Sequence, residues 1–251
     1  IEALRLFCEY YKLQFPNFPI LSSEFTNPLF LQIICKTVKE LPNKSFPKGF
    51  QGINDVYNSY KKSLDKKFEE KREEYKFQNI VSKVIEKLAL KFFSTEYFSL
   101  KVYEVIDFLK LEFSSYKLLF LDLIEENILI KTKSDLESED IIYFSYQKLG
   151  DFFLAERLLK SYSTKEEVLK AFEKDSLLGE VISDYERSKR GIVEMFAILL
   201  PEKFDLELFE LIDVFISKNR YINDRNEQYI KKHINADVTR ILLDSLKWRK
   251  T

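Results

Sequence analysis

Glycine is scarce in this chain, with only 5 among 251 residues. Phosphate-binding loops need glycines at fixed spacing, and neither GxxxxGKS/T nor GxGxxG occurs in the sequence. Histidine is scarcer still. His233 is the only one and has no Cys or Asp at ligand spacing, so we expect an exposed structural role for it. No Ser/His/Asp or Cys/His set can be assembled. The sequence therefore predicts no catalytic residue and no metal site in this chain.

Cysteine, methionine and long apolar runs are also rare or absent. Cys8 and Cys35 are the only cysteines, and both lie in apolar helical patterns. Two buried thiols fit a reducing cytoplasm, although a disulfide between them remains an alternative. No run of about 18 apolar residues and no signal-peptide pattern occurs, so we expect a cytoplasmic protein without a membrane segment. Because the chain begins at Ile1 and its only methionine is Met195, we expect it to be a piece of a longer protein.

Charge of neither sign dominates. Lys and Arg number 40 and Asp and Glu number 41, so the chain has no overall field that would attract nucleic acid or an anionic membrane. Hydrophobic residues make up 45% and aromatic residues 15%, which is ample material for a core. A chain of this length fits one large domain or two to three small ones.

The first part of the chain, residues 1–76, reads as a helical domain. In the stretch EFTNPLFLQIIC, Asn27 is a good N-cap and Pro28 suits the first helical position, which predicts a helix from Pro28 to about Leu41. A long amphipathic helix follows from about Asn54. It carries the charged run KKxxDKKxEEKREE, in which the signs alternate, and this run predicts a solvated helix face.

Residues 77–160 predict a winged-helix domain. Three segments with apolar residues at helical spacing are followed by ILIKTK and IIYFSY, two β-rich runs that flank the acidic turn SDLESED. Three helices and a β-hairpin make a winged helix with the hairpin as its wing. The apolar stripes of the three helices consist of Ile80, Val84, Leu88 and Phe92, then Leu100, Val102, Val105, Ile106 and Leu109, then Tyr116, Leu119, Phe120, Leu123 and Ile124.

The local charge argues against DNA binding by this winged helix. On its third helix, residues 114–127, Lys117 stands against Asp122, Glu125 and Glu126. The wing from Lys131 to Asp140 carries two lysines against four acids. Neutralisation of phosphates supplies most of the affinity of such domains for DNA, and it requires the opposite balance. We therefore expect no DNA binding.

Residues 161–251 read as short helices and predict the start of an α-helical array. The stretch STKE predicts a capping box between Ser163 and Glu166. Further apolar segments lie near 176–186, 191–200, 205–217 and 236–247, with Pro201 predicted to lie between two of the helices. The expected fold class is mainly α: a helical domain, a winged helix with a β-hairpin wing, and an α-helical array.

A resemblance to a known family comes from two motifs. The stretch IIYFSYQKLGDFFLAERLL, residues 141–159, resembles the winged-helix segment of the STAND NTPases, above all the NACHT type. There a strand ending Phe-x-His leads into a Phe-Gln-Glu-Phe-x-Ala-Ala-like helix. Phe144 matches the strand aromatic, Tyr146 falls on the histidine and Asp151 on the glutamate. The segment NPLFLQIIC, which contains Asn27 and Pro28, looks like the family's proline motif.

The order of these motifs along the chain also resembles the family. The forms NPLFL, YQKLGDFFLA, LLPEKFDLELFELI and SLKWR are especially similar to the bacterial antiviral STAND proteins called Avs, which defend against phage. A phenol at position 146 can donate a hydrogen bond to a phosphate, as the histidine does, but it carries no charge.

The resemblance implies a nucleotide-controlled switch. The chain would be the regulatory part of a STAND ATPase, with the helical domain and the winged helix closing over ADP at rest, Asn27 and Pro28 at the base and Tyr146 near the phosphates. ATP with Mg would replace ADP when a phage protein binds the helical array, and the protein would form a homo-oligomer. Hydrolysis would belong to an upstream NTPase domain of the same protein, so this chain would be no enzyme by itself and would bind no nucleotide tightly.

Two alternatives to this interpretation remain open from the sequence. One is a transcription regulator whose winged helix reads DNA, which the acidic third helix disfavours. The other is a structural helical adaptor without a nucleotide.

Overall fold

A computed structural model describes residues 2–17, 23–41, 44, 46, 53–95, 98–133, 139–172, 178, 179, 181, 189–211, 241 and 243. The chain divides into two compact units. The first consists of residues 1–50 and 55–153, and the second of residues 51–54 and 154–251. The first unit includes residues from both of the first two predicted domains. The division into three domains stays a prediction.

The first unit begins with helices. Helix α1 spans Glu2–Tyr11, α2 spans Pro28–Lys39 and α3 spans Ile53–Lys71, with short 3₁₀ turns at Ser23–Thr26 and Glu73–Tyr75. The predicted start of α2 is confirmed. The side-chain oxygen of Asn27 accepts hydrogen bonds from the backbone N–H groups of Leu29 at 3.0 Å and Phe30 at 3.4 Å, and Pro28 opens the helix.

A small antiparallel sheet follows among three further helices. Helix α4 spans Ile80–Phe93, strand β1 Leu100–Lys101, α5 Val102–Glu112, α6 Tyr116–Glu125, β2 Leu129–Lys133 and β3 Asp140–Phe144. The strand order is β1–β3–β2, and β2 pairs with β3 so that Leu129 lies opposite Phe144 and Lys133 opposite Asp140. A mainly helical chain with a β-hairpin is thus confirmed.

Strand β1 was not expected from the sequence. Leu100 was assigned to the apolar stripe of a helix, but it pairs with Ile142 of β3 and the helix starts only at Val102. A strand of two residues is too short to show the alternation of apolar and polar residues that predicts a strand. The side chain of Leu100 is 3% exposed, so either assignment explains its hydrophobic character.

The core of the first unit lies where the sheet meets the helices. The periodicity of the apolar residues predicts that Leu119, Leu123, Phe144 and Phe153 are buried in one core, and all four are buried. The ring of Phe144 meets that of Phe92 edge to face, with centroids 5.1 Å apart, which is a favoured aromatic geometry.

The charged run at the end of α3 is only partly a solvated face, which corrects the expectation from its alternating signs. Lys66 and Glu70 form the expected exposed pair at 3.8 Å. Asp65, by contrast, is buried and caps α4. It accepts hydrogen bonds from the N–H groups of Val81 at 2.9 Å and Ser82 at 3.1 Å. Because the first N–H groups of a helix lack partners within the helix, a carboxylate from another helix can bind them.

The second unit contains the end of α7, which spans Gln147–Leu159, and helices α8, Lys165–Ala171, and α9, Arg190–Phe204. The predicted capping box is displaced by one residue. Thr164, not Ser163, has the extended backbone of an N-cap, and its side chain accepts from the N–H of Glu167 at 3.2 Å. Glu167 in turn accepts from the N–H of Thr164 at 3.4 Å. Glu166 therefore takes no part in the box.

Pro201 does not separate two helices as expected, because α9 runs through it to Phe204. Residues from Ile192 to Leu200 are mostly buried, and the ring of Phe196 meets Phe172 edge to face at 5.2 Å. Packing of this apolar helix outweighs the one hydrogen bond that a proline near the end of a helix removes. His233 lies outside the described residues.

Within the part of the chain that the structure describes, no helix combines the length and apolar character needed to cross a lipid bilayer.

Candidate functional site

The predicted site residues lie at two helix starts of the first unit. Asn27 and Pro28 begin α2, where Asn27 is half-buried and Pro28 is exposed. Tyr146 lies between the end of β3 and the start of α7 and is buried. Its carbonyl accepts a hydrogen bond from the N–H of Leu149 at 3.0 Å, which holds it to the first turn of α7.

Tertiary contacts bring Tyr146 to the segment that starts α2. The hydroxyl of Tyr146 donates to Oε2 of Glu24 at 2.5 Å, across 122 positions of sequence. Its ring lies beside Phe30, with centroids 6.4 Å apart. Glu24 and Phe30 stand on either side of Asn27 and Pro28 in the chain. The two predicted motifs therefore meet through side chains.

Lys148 completes the contact with Glu24. Its Nζ lies 2.7 Å from Oε1, so each carboxylate oxygen of Glu24 faces a different donor. The side chain of Glu24 is 14% exposed and that of Lys148 is 32% exposed, so the pair lies at the edge of the core. Sequence reasoning missed both residues. The only feature of the sequence that could have indicated them is their position. Lys148 lies two residues after Tyr146, and Glu24 lies three residues before Asn27.

Tyr57 of α3 is the second phenol of the site. Its side chain is fully buried, its ring lies 6.3 Å from that of Tyr146 and 5.0 Å from that of Phe152. The hydroxyl makes no hydrogen bond of good geometry within the described residues, although it is close enough to Tyr146 to influence its titration. A buried hydroxyl without a partner is uncommon and costs stability, so it marks a place where a polar group can be accepted.

Both phenols stay protonated at neutral pH. Burial raises the pKa of Tyr57 well above its ordinary value. Burial, then the neighbouring Tyr57 and the hydrogen bond to Glu24, also raise the pKa of Tyr146 well above its ordinary value. Tyr146 is therefore a neutral donor, and the positive charge of the site comes from Lys148.

Comparison with protein-family models, curated proteins and solved structures gave no match to this chain.

The donors of this site suit binding of an anion. Its polar groups include the carboxylate of Glu24, one ammonium and two neutral phenols, and the buried carboxylate of Asp151, which accepts from Gln147 at 2.9 Å, acts on Tyr57 from nearby. Hydroxyl and ammonium donors that converge on one point are what a phosphate or carboxylate needs. Across the described residues, no three His, Cys, Asp or Glu side chains gather as metal ligands would.

A second polar cluster joins the end of α3 to α6. Asp122 is 1% exposed and accepts from Arg72 through both oxygens, at 2.6 Å and 3.1 Å. Lys71 lies 2.7 Å from the same carboxylate, and the Tyr75 hydroxyl donates to it at 3.0 Å. Burial by itself raises the pKa of Asp122, but these three donors outweigh it and the net pKa is lowered. The acidic face of α6 is therefore neutralised within the chain.

A cavity of about 340 Å³ lies near the other end of α2. Four lysines and three glutamates are among its lining residues, and Lys67 pairs with Glu126 there at 2.6 Å. Burial lowers the pKa of Lys36 in its wall, while Glu126 acts in the opposite direction. This mixture of charges selects no single class of ligand, and the cavity contains none of the predicted site residues.

Proposed function

We propose that this chain is the regulatory part of a STAND-type ATPase that acts as a nucleotide-controlled switch in antiphage defence. Residues 77–160 would be its winged helix, residues 1–76 its helical domain and residues 161–251 the start of its target-sensing array. The observation that carries the proposal is the contact of Tyr146 with Glu24. It joins the segment after the hairpin to the segment before Asn27 and Pro28, which brings the two motifs of the resemblance together.

The topology of the first unit supports the winged-helix part of this proposal. The element order is α4, β1, α5, α6, β2 and β3, and the strand order is β1–β3–β2. Three helices with a short first strand and a terminal hairpin are the arrangement expected of a winged helix. The wing would be the hairpin of β2 and β3.

The rest of the proposal concerns the longer protein. An upstream NTPase domain would hold the phosphates of ADP or ATP with Mg, and this chain would supply the wall and the lid of the site. Pro28, exposed at the start of α2, offers a rigid surface to the adenine because its φ angle is fixed. Replacement of ADP by ATP would open the contact and allow homo-oligomerisation, a population shift driven by ligand.

The test uses the full-length protein and the Tyr146→Phe variant. We expect the variant to retain less ADP and to show higher basal ATPase activity. It loses a hydrogen bond to a charged acceptor, a type that contributes about 1.5–3 kcal/mol. Tyr143→Phe is the matched control, since Tyr143 is a half-buried tyrosine of β3, three residues before Tyr146. Equal ADP retention and equal basal activity in wild type and Tyr146→Phe would leave Tyr146 a core aromatic only.

The same experiment separates the proposal from the structural adaptor. An adaptor without a nucleotide would show no adenine nucleotide after purification and no ATPase activity in any variant. The pairing of Lys131 with Asp140 in the hairpin argues against the DNA-binding alternative.

A further inference from the structure

We propose that Tyr146 and Lys148 form a phosphate-binding site that the chain fills with its own carboxylate, Glu24, so that a phosphate group must displace Glu24 in order to bind. The identity of that phosphate as part of an adenine nucleotide rests on the proposed function. The site itself rests on the contacts of this chain.

Two different donors hold the carboxylate of Glu24. One oxygen accepts from the Tyr146 hydroxyl at 2.5 Å and the other faces the Lys148 ammonium at 2.7 Å. An anion bound by one neutral donor and one cation is bound as a terminal phosphate would be. The carboxylate of Glu24 therefore stands where such a phosphate oxygen would stand.

The site needs a positive charge from a second residue, because the phenol of Tyr146 can donate a hydrogen bond but carries no charge. Lys148, two residues further along, supplies that charge to the same anion. Both residues flank Gln147, the first residue of the 13-residue helix α7, and the N-terminus of a helix favours negative charge.

A ligand from solvent can take the place of the Glu24 carboxylate in this site. The side chain of Lys148 is 32% exposed, which leaves it within reach of a ligand from solvent. Glu24 belongs to a short 3₁₀ turn, Ser23–Thr26, and not to a long helix that would have to move as a whole.

The consequence is an internal competition. While Glu24 occupies the donors, the segment before α2 and the start of α7 are joined without any nucleotide. A phosphate that enters must carry enough charge to replace the carboxylate. The affinity of the site for phosphate is therefore set by Glu24.

The experiment measures binding of inorganic pyrophosphate to the 251-residue chain by isothermal titration calorimetry at low salt. Wild type should bind weakly. Glu24→Gln keeps the size of the side chain and an oxygen that accepts from Tyr146, but it removes the charge. This variant should bind pyrophosphate about tenfold more tightly, since one charge-assisted contact accounts for a factor of this order.

Three further variants keep the test specific. Glu24→Gln combined with Lys148→Gln should lose the gain. Glu24→Asp keeps the carboxylate and should bind no more tightly than wild type. Glu73→Gln removes a carboxylate whose side chain is 84% exposed and should behave as wild type, which excludes an effect of net charge. Circular dichroism checks the fold of each variant, and Lys148→Gln alone should abolish the weak binding of the wild type.

Equal affinity of wild type and Glu24→Gln would overturn the inference, and so would a gain that survives Lys148→Gln. The proposed function fails differently, through absence of adenine nucleotide from the full-length protein. Pyrophosphate binding that follows Glu24 and Lys148 would stand even then.

Discussion

Gly150 lies against the ring of Phe144 so closely that a Cβ atom at position 150 would be 2.5 Å from Cδ2 of that ring. Phe144 ends β3, Gly150 lies in the first turns of α7, and both are buried. The absence of a side chain at one residue therefore sets how near the helix comes to the strand.

This contact predicts the effect of Gly150→Ala. Alanine favours a helix by up to about 1 kcal/mol over glycine. The clash with a buried ring costs more, about 1–3 kcal/mol, because a well-packed core cannot yield freely. We expect a net loss of stability in urea unfolding. The loss should shrink when Phe144→Leu is introduced as well, and additive effects in this double-mutant cycle would contradict the steric explanation.

The second prediction concerns pH and Asp122. The pKa of Asp122 is lower in the folded chain than in the unfolded chain. Its contribution to stability is therefore fully present at a pH above the unfolded pKa, and it is lost as the pH falls through the folded pKa. At pH 7, Asp122→Asn should lower the free energy of unfolding by about 2 kcal/mol. The difference between wild type and variant should diminish below pH of about 4.

The control for this prediction is Asp140→Asn. Asp140 pairs with Lys131 at 2.7 Å, but its side chain is 34% exposed. Such a surface pair contributes at most about 1 kcal/mol. A loss at Asp140 as large as that at Asp122 would show that burial is not the reason for the effect.

The third prediction concerns the cap of α2. Asn27→Ala removes a side chain that accepts from two backbone N–H groups, so it should cost about 1 kcal/mol in chemical unfolding. Ser115 is the matched control, because it stands at the N-cap of α6 and makes no side-chain capping bond. Ser115→Ala should leave stability nearly unchanged. Similar losses at both positions would argue against the capping role of Asn27.

The fourth prediction concerns the two thiols. Cys8 and Cys35 are free and buried. Burial, followed by the effect of Cys8, raises the pKa of Cys35 to about 12, and burial also raises the pKa of Cys8. Because the thiolate is the reactive form, both cysteines should react slowly with an aromatic disulfide reagent at pH 8 and rapidly after unfolding in guanidinium. Fast reaction of the native protein would refute the assignment of both as buried thiols.

The fifth prediction is that the chain does not bind duplex DNA at physiological salt. Two lysines of the sheet are paired with acids, Lys101 with Glu139 at 2.9 Å and Lys131 with Asp140 at 2.7 Å. Binding of DNA phosphates would have to break these pairs. The check is fluorescence anisotropy of a labelled duplex with micromolar protein. A rise that weakens with added salt would favour the DNA-binding alternative.

The sequence by itself determined the local elements. The start of α2 followed from Asn27 and Pro28, and the hairpin followed from two β-rich runs around an acidic turn. Such features depend on residues within a few positions of each other, so spacing and residue type predict them. Two local predictions were wrong, the capping residue of α8 and the end of a helix at Pro201. The backbone conformation of Thr164 decided the first outcome, and the packing of the apolar helix α9 decided the second.

The tertiary structure alone decided which distant groups meet. Nothing in the spacing of the charged run selects Asp122 as the partner of Arg72, or Glu24 as the partner of Tyr146. Many charged residues of this chain could form pairs in principle. The partners are chosen by packing, because a carboxylate taken out of water must gain donors from whichever side chains the fold brings beside it.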